Sequence, residues 1–478
     1  MRTYDVIIIG GGTTGAAIAR ELSRYKLRIA LIEKEEELAF GVSKSNSGII
    51  HPGTQNRPGL LKSRLCVEGN RLTRRLSKEL GVAFKQVGEL IVAFSEDDVP
   101  RLKKMKEDAD KLGVPGTRMV SGPWLRRNEP NLSPEAVMAL YAPTAGIISP
   151  YRWVYDLAEN AARNGVEVRM TTTLENITVG KRGGFELHTT GGVLTADFVV
   201  NAAGLFADDI ARMAGIDDFS IHPRKGEEFI LDKKRQYLTK HLLFPLPSAK
   251  SKGILVTRTS DGNPMIGPTA EEITDKEDLS TSEEGLRKVL ASARKLVPSV
   301  DENDIIAYFA GLRPASGDDF IIRHEDTVPG MVTVAGIQSP GLTASPAIAR
   351  MVAGILKKNG LSLRRKMIFH PHRKRTTHLF AIPFSKTKKL IRKDHSYGDI
   401  VCRCEMVSAK EVRDAIKRGA KTMDGIKFRT RAQAGRCHGG FCTTRLMRIL
   451  AEETGMDVTE VTKRGKGSEM VKKDRKSG

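Results

Sequence analysis

Four of the five cysteines stand together late in the chain: Cys402-Arg403-Cys404 and, after a gap of 32 residues, Cys437-His438-Gly439-Gly440-Phe441-Cys442. Thiolates are soft donors, so a C-x-C followed by a C-x4-C suits a metal or metal–sulfide centre. Zinc sites typically take wider C-x2–4-C pairs on both sides. Two thiolates one residue apart can project from one loop and hold one edge of a compact cluster. Gly439 and Gly440 leave backbone N–H groups free to bond sulfides and raise the potential. Zinc and free thiols stay open on spacing alone, and His438 is surplus once four cysteines are present. Cys66 has no partner motif and reads as a small buried apolar residue.

A second constellation opens the chain. Gly10-Gly11-Gly12-Thr13-Thr14-Gly15 follows an apolar run, Tyr4 to Ile9, and leads into Thr14 to Tyr25, with helical spacing of Ala17, Ile18 and Leu22. Another apolar run, Arg28 to Ile32, completes a βαβ unit of about the ~30 residues that a dinucleotide fingerprint needs. Gly10 permits the tight turn, Gly12 the approach of a pyrophosphate, and Gly15 close packing of helix on strand. The helix N-terminus offers N–H donors and partial positive charge to phosphates. Glu33, 18 residues after Gly15, is placed to accept from ribose hydroxyls. The motif specifies a dinucleotide and does not separate FAD from NAD.

The elements that must position these residues follow from patterning. Further strand-like runs end in glycine at Phe198 to Gly204 and at Met331 to Gly336, and strands alternating with helices imply a mostly parallel sheet. Residues 81–145 and 218–325 look like insertions forming a second layer over the cofactor. At 478 residues the chain calls for two or three domains. It shows no internal repeat and no leader pattern. Apolar runs such as Val6 to Ile9 fall far short of the ~20 residues needed to span a bilayer, so a soluble or peripheral protein is expected. Five cysteines make no disulfide framework, which suits a reducing cytoplasm.

Charge is unevenly placed. Residues 361–478 hold 30 Lys+Arg against 12 Asp+Glu, whereas residues 1–360 hold 48 against 45. Residues 361–397 carry eleven Lys/Arg and one acid, Asp394, without sustained periodicity, and are expected to be a linker. Residues 398–455 regain helical patterns, and 456–478 form a basic tail. Without aromatic interleaving or a recognition fold, the basic stretches do not indicate nucleic acid. They suit an acidic partner protein, an anionic membrane surface, or a solvated extension.

Past Glu33, the stretch Ser43-Lys44-Ser45-Asn46-Ser47-Gly48-Ile49-Ile50-His51-Pro52-Gly53 resembles the flavin-facing loop of the D-amino-acid-oxidase-like superfamily. Asn201-Ala202-Ala203-Gly204, Gly311-Leu312-Arg313-Pro314 and Gly336-Ile337-Gln338-Ser339-Pro340-Gly341-Leu342-Thr343 match the same superfamily in order, over about residues 1–360. Within it, Lys62 to Arg71 is similar to FAD-dependent glycerol-3-phosphate dehydrogenases and to L-2-hydroxyglutarate dehydrogenases. The cysteine segment, with Gly435-Arg436 before Cys437, resembles the [2Fe–2S] domain of the bacterioferritin-associated-ferredoxin type, which occurs at the C-terminus of the large subunit of anaerobic glycerol-3-phosphate dehydrogenase.

The resemblance implies an α/β fold: a Rossmann-like FAD-binding domain (1–80, 146–217, 326–360), an inserted α+β substrate or cap domain (81–145, 218–325), and, beyond the 361–397 linker, a small helical [2Fe–2S] domain (398–455). It implies FAD contacts from Gly10, Gly12, Thr14, Gly15, Glu33, Lys34, Ser43, Ser47, Gly48, Ile49, Leu174, Ala203, Gly204, Gly336, Gly341, Leu342 and Thr343, and cluster ligation by Cys402, Cys404, Cys437 and Cys442. Thr343 to Leu356 has a helical look, so N–H groups at Gly341 and Leu342 would face the flavin pyrimidine oxygen.

Oxidising a secondary alcohol needs a base for the hydroxyl proton, and the resemblance sets His51 beside the ring, with an unperturbed pKa near neutrality. A buried structural histidine is the alternative. Arg313 can grip an anionic group bidentately, or serve a structural salt bridge; Arg258 and Lys225 are second-rank candidates. The expected reaction is oxidation of sn-glycerol 3-phosphate to dihydroxyacetone phosphate, with electrons relayed through the cluster to an electron-accepting flavoprotein subunit in a hetero-oligomer. L-2-hydroxyglutarate, another 2-hydroxy or amino acid, and a non-catalytic redox subunit are the alternatives. A cytoplasmic location, or a peripheral one at the inner face of the cell membrane, goes with this.

Overall fold

The computed structural model describes residues 2–180, 183–247, 252–373 and 377–472. Small parts of the expected FAD-binding domain (181–182), cap (248–251), linker (374–376) and tail (473–478) lie outside the described residues. The chain divides into two compact units: Met1–Ile32, Ala39–Arg169 and Thr173–His372 in one, Glu33–Leu38, Met170–Thr172 and Arg373–Gly478 in the other.

The larger unit holds two large sheets and a small one of Ile49–Ile50, Gly146–Ile147 and Lys85–Gln86. The first runs in the order Leu174–Val179, Phe185–Thr189, Gly192–Asn201, Arg2–Ile9, Ile29–Ile32, Val166–Arg169, with Met331–Ala335 also on Gly192–Asn201 and Ile321–His324 on Met331–Ala335. Its centre is parallel: Ile7 lies opposite Val199 on one side and Ala30 on the other. Val6 to Ile9 and Ile29 to Ile32 are buried throughout, as continuous apolar strands covered on both faces must be. The helix after the glycine turn spans Thr13–Leu22, and it packs against Pro150–Arg163 and Gly341–Lys358. The last of these begins two residues before the helix foreseen from Thr343.

The second sheet has nine strands, drawn from residues 89–142 and 222–315. It is mostly antiparallel, with Leu242–Pro245 alongside Glu89–Ala93 as a parallel pair. His222–Leu231 pairs along its length with Ile305–Ala315, which sets Arg224 opposite Arg313. This is the expected inserted α+β layer, built from two stretches of chain.

The smaller unit is mainly helical. Ala409–Lys417, Met423–Thr430 and Thr443–Thr454 enclose a core of Val401, Val412, Ile426, Leu446 and Leu450. The first helix starts on a capping box, Ser408 with Glu411. Glu37, from the segment after the Ile29–Ile32 strand, belongs to this unit and accepts from Arg429 Nη1 at 2.7 Å. The basic stretch differs from its expectation in two respects: residues 361–372 belong to the larger unit, where the Lys366 N–H donates to the Arg24 carbonyl at 2.9 Å, and Phe384–Lys393 is a helix. Its five cations all have good helix propensity, which the short periodic run concealed.

Candidate functional site

The glycine turn admits no side chains where it matters. Gly10 has φ +107°, and a Cβ there would lie 2.5 Å from the Ala202 carbonyl oxygen and 3.1 Å from Ala203 Cα. A Cβ on Gly15 would lie 1.9 Å from the carbonyl oxygen of Gly10. Ser43 Oγ accepts from the Thr13 N–H at 2.9 Å, and a Cβ on Gly12 would sit 3.1 Å from that oxygen. Thr14 is in the first turn of the helix, and Gly204, at φ +62°, opens the short turn after the Gly192–Asn201 strand. Leu174 is buried at the head of its strand, and Gly336, at φ +67°, follows Met331–Ala335. Glu33 follows Ile29–Ile32 directly; its Oε1 accepts from the N–H of Glu35 at 3.0 Å, and Lys34 is the next residue.

Ser43 to His51 is fixed by packing. A Cβ on Gly48 would meet the Ile148 carbonyl oxygen at 2.3 Å, and Ile49 pairs with Ile147. The His51 N–H donates to Thr343 Oγ1 at 2.9 Å, and that hydroxyl donates to the Ile49 carbonyl at 3.3 Å. The loop is thereby joined to the first turn of Gly341–Lys358, where Gly341 and Leu342 sit. The His51 ring is half-buried, with its centre 6.1 Å from that of Phe244. Its Nε2 is 3.4 Å from Ser339 Oγ, which accepts from Lys252 Nζ at 3.2 Å. Burial, reinforced by the Lys252 charge, holds the imidazole well below its ordinary 6.5, so it is neutral and able to take a proton.

Arg313 projects from Ile305–Ala315 and donates from Nη2 to the Thr269 carbonyl. Beside it lies Glu228, buried, accepting from Ser47 Oγ at 2.7 Å. Burial raises the Glu228 carboxyl to about 7, against the opposing effects of Ser47 and Arg313. Lys252 is within electrostatic reach of both His51 and Arg313; burial is the main cause that lowers its pKa. Lys252 and Glu228 were not singled out in the sequence. Lys252 lies in no motif. For Glu228 the signal was two consecutive acids directly before the apolar run Phe229-Ile230-Leu231, since successive residues of a strand face opposite ways. Glu227 turns to the Glu283–Leu296 helix and accepts from the Ser282 N–H at 2.6 Å, while Glu228 turns to Ser47.

The second-rank candidates stand differently. Lys225 is engaged by Asp278 at 2.9 Å and is buried. Arg258 ends the Leu255–Arg258 strand with its Nε buried and, among the described residues, without a hydrogen-bond partner. Cys66 is fully buried, and burial pushes its thiol up to about 12, which suits packing and not chemistry.

In the smaller unit the sulfurs pair across the two motifs, Cys404 Sγ with Cys437 Sγ at 3.4 Å and Cys402 with Cys442. The hydrogen bond from Cys442 draws the Cys402 thiol down to about 6 against burial, with help from the N–H groups of Gln433 and Glu405. Burial opposes ionisation of Cys437, but Cys404 and the N–H groups of Gly439 and Phe441 bring it below its usual value. Cys442 and Cys404 are pushed up by the same partnerships. Thiolates surrounded by backbone donors fit a sulfide-bridged cluster. A Cβ on Gly435 would lie 2.3 Å from Cys404 Cβ, so this glycine is required by packing at the cysteines.

Residues 5–355 match the family described as FAD dependent oxidoreductase, and residues 400–452 match the BFD-like [2Fe-2S] binding domain. The chain belongs to the FAD-dependent oxidoreductases and carries a C-terminal [2Fe–2S] domain. It is 42% identical to a glycerol 3-phosphate dehydrogenase of Caloramator mitchellensis, over 97% of each chain. An L-2-hydroxyglutarate dehydrogenase of Indibacter alkaliphilus is 29% identical over 73% of this chain and 98% of its own. Among solved structures, dithionite-reduced L-α-glycerophosphate oxidase of Mycoplasma pneumoniae with FAD bound superposes with a TM-score of 0.75 at 31% identity, covering 79% of this chain and all of the other. The side-chain-free turn at Gly10, Gly12 and Gly15 fits the FAD pyrophosphate, and the four cysteines fit the cluster. Among the described residues no helix is long and apolar enough to cross a membrane.

Proposed function

We propose that this protein oxidises sn-glycerol 3-phosphate to dihydroxyacetone phosphate and passes the electrons through its [2Fe–2S] domain to an electron-accepting flavoprotein subunit. The observation that carries the substrate reading is a neutral His51 with two cations at hand, Lys252 linked to it through Ser339 and Arg313 within reach of Lys252. Neutral imidazole accepts the hydroxyl proton, and the cations hold a dianionic headgroup. Thr343 keeps His51 in position through the backbone N–H, so a base and its loop are preorganised together. Bound FAD supplies the hydride acceptor, and the cluster a one-electron exit. The dehydrogenase at 42% identity over 97% of both chains supports the same substrate.

The partner assignment rests on the cluster domain itself: an enzyme delivering electrons to oxygen at its flavin has no use for it. A hetero-oligomer follows, and the basic C-terminal quarter leaves a peripheral position on an anionic membrane open to it. The discriminating experiment is anaerobic mixing with glycerol 3-phosphate and, separately, L-2-hydroxyglutarate. Rapid loss of flavin absorbance with the phosphate is expected, and faster bleaching by L-2-hydroxyglutarate would overturn the substrate.

A further inference from the structure

The cysteine unit has a face that its own fold does not use. Cys402 and Cys442 are buried, but Cys404 is exposed. Two residues past it Met406 is 42% exposed, and on the Cys437–Cys442 loop Phe441 is 78% exposed. The 3.4 Å approach of Cys404 to Cys437 brings these two loops together. Arg403 and Arg436, each next to one of those cysteines, are exposed as well. A lone surface aromatic carries no message. Here, however, the exposed large residues beside the cysteines are Phe, Met and Arg, types enriched at protein–protein contacts.

The charge is one-sided. Residues 431–448 contain four arginines and no acid. Glu405, the acid nearest Cys404 in the chain, is withdrawn from the surface, with its side chain 3% exposed and bonded to Arg431 at 2.8 Å. Two of these arginines are paired, Arg431 with Glu405 and Arg445 with Asp399 at the surface. The remaining excess of arginine beside an exposed thiol would repel a basic carrier and attract an acidic one.

We infer that the face formed by Arg403, Cys404, Met406, Arg436 and Phe441 docks the relay's protein acceptor through an acidic surface of that acceptor, which takes electrons one at a time. This rests on the relay reading above and names the surface at which the relay ends. Each secondary alcohol oxidised to a ketone yields two electrons and two protons. The docked acceptor, the oxidant, takes the two electrons one at a time, and the protons pass to solvent. Phe441 supplies the apolar anchor, and the two arginines supply orientation and steering.

The test uses full-length holoprotein, with acidic plastocyanin as the probe and basic cytochrome c as the control. Affinity is measured directly at low ionic strength, and reduction of each carrier is followed during substrate turnover. The double variant Arg403→Glu/Arg436→Glu is expected to weaken plastocyanin binding by about tenfold or more and to improve binding of cytochrome c. Phe441→Ala is expected to weaken both while cluster absorbance and substrate-driven flavin bleaching stay at wild-type levels. Unchanged plastocyanin affinity in these variants overturns the proposal. Loss, in the double variant, of binding to vesicles rich in phosphatidylglycerol, with plastocyanin binding intact, assigns the face to lipid and also overturns it. Full-rate carrier reduction by Cys437→Ser would instead overturn the relay reading itself, a result the affinity measurements alone cannot give.

Discussion

The His51 N–H donates to the hydroxyl oxygen of Thr343, 2.9 Å away and 292 positions along the chain. Thr343 in turn donates to the Ile49 carbonyl. One buried side chain thus closes the Ile49–His51 loop onto the start of the Gly341–Lys358 helix. The base is held by its backbone, so its position does not depend on the ring's own contact, Nε2 to Ser339 Oγ at 3.4 Å.

His51→Asn should therefore retain FAD yet lose about 10²–10⁴ in the rate of flavin reduction, the usual worth of a positioned general base. Anaerobic stopped-flow spectroscopy checks this, and loss of the flavin from the variant would mark a structural histidine. In the wild type the depressed pKa keeps the base neutral through the neutral range, so the acid limb of the rate profile should lie well below pH 6.5.

Glu228 gives a second titration with the opposite sign. Its folded-state value of about 7 lies above its ordinary 4.5, so between those limits the folded protein keeps a proton that the unfolded chain has lost. The carboxyl's contribution to stability is present below pH 4.5 and falls as pH rises through 7. Ionised Glu228 also offsets Arg313 and weakens anion binding, so the KM for an anionic substrate should rise from pH 6 to pH 8. In Glu228→Gln both trends should flatten, by urea midpoints and by KM. A KM profile unchanged in the variant would remove Glu228 from the substrate site.

The contrast between His51 and Glu228 shows what was legible in the sequence. Gly10, Gly12 and Gly15 are local necessities, because a Cβ at the first or last would collide with backbone, and glycine is itself the record of that demand. The cysteines announce themselves by type and spacing. Glu228 and Lys252 matter for what a distant loop brings to them: Ser47 lies 181 positions from Glu228, and Ser339 lies 87 from Lys252. Nothing within a window of either residue encodes that meeting. Lys225 was a second-rank candidate in the sequence, but Asp278 engages it, a pairing likewise set by tertiary structure.

Arg313→Lys should lower kcat/KM by roughly one to two decades, since a point charge replaces a planar fork. The guanidinium spends one arm on the Thr269 carbonyl, so a lysine must give up either that anchor or the substrate. Steady-state kinetics with glycerol 3-phosphate decides it; wild-type values in the variant would show that Arg313 serves structure alone.

Cofactor content and electron exit can be tested in one preparation. Protein purified without oxygen should hold one FAD and two iron atoms per chain, and zinc in place of iron would contradict the [2Fe–2S] domain. Cys437 stands 3.4 Å from Cys404, on the exposed side of the cysteine group. Replacing it with serine removes a thiolate and one half of that pair, while the Gly10–Gly15 turn and His51 lie in the other compact unit and are untouched. A flavin takes two electrons together and a [2Fe–2S] cluster carries one, so the cluster has a role only after flavin reduction. Cys437→Ser should therefore bleach its flavin with substrate at nearly the wild-type rate. Steady turnover with a protein acceptor should stop, because the reduced flavin has lost its exit. In the wild type that turnover should slow as salt rises, the screening length being about 10 Å at 0.1 M, as expected of a basic surface meeting an acidic partner. Wild-type turnover in the serine variant would make the cluster a structural element and remove the relay.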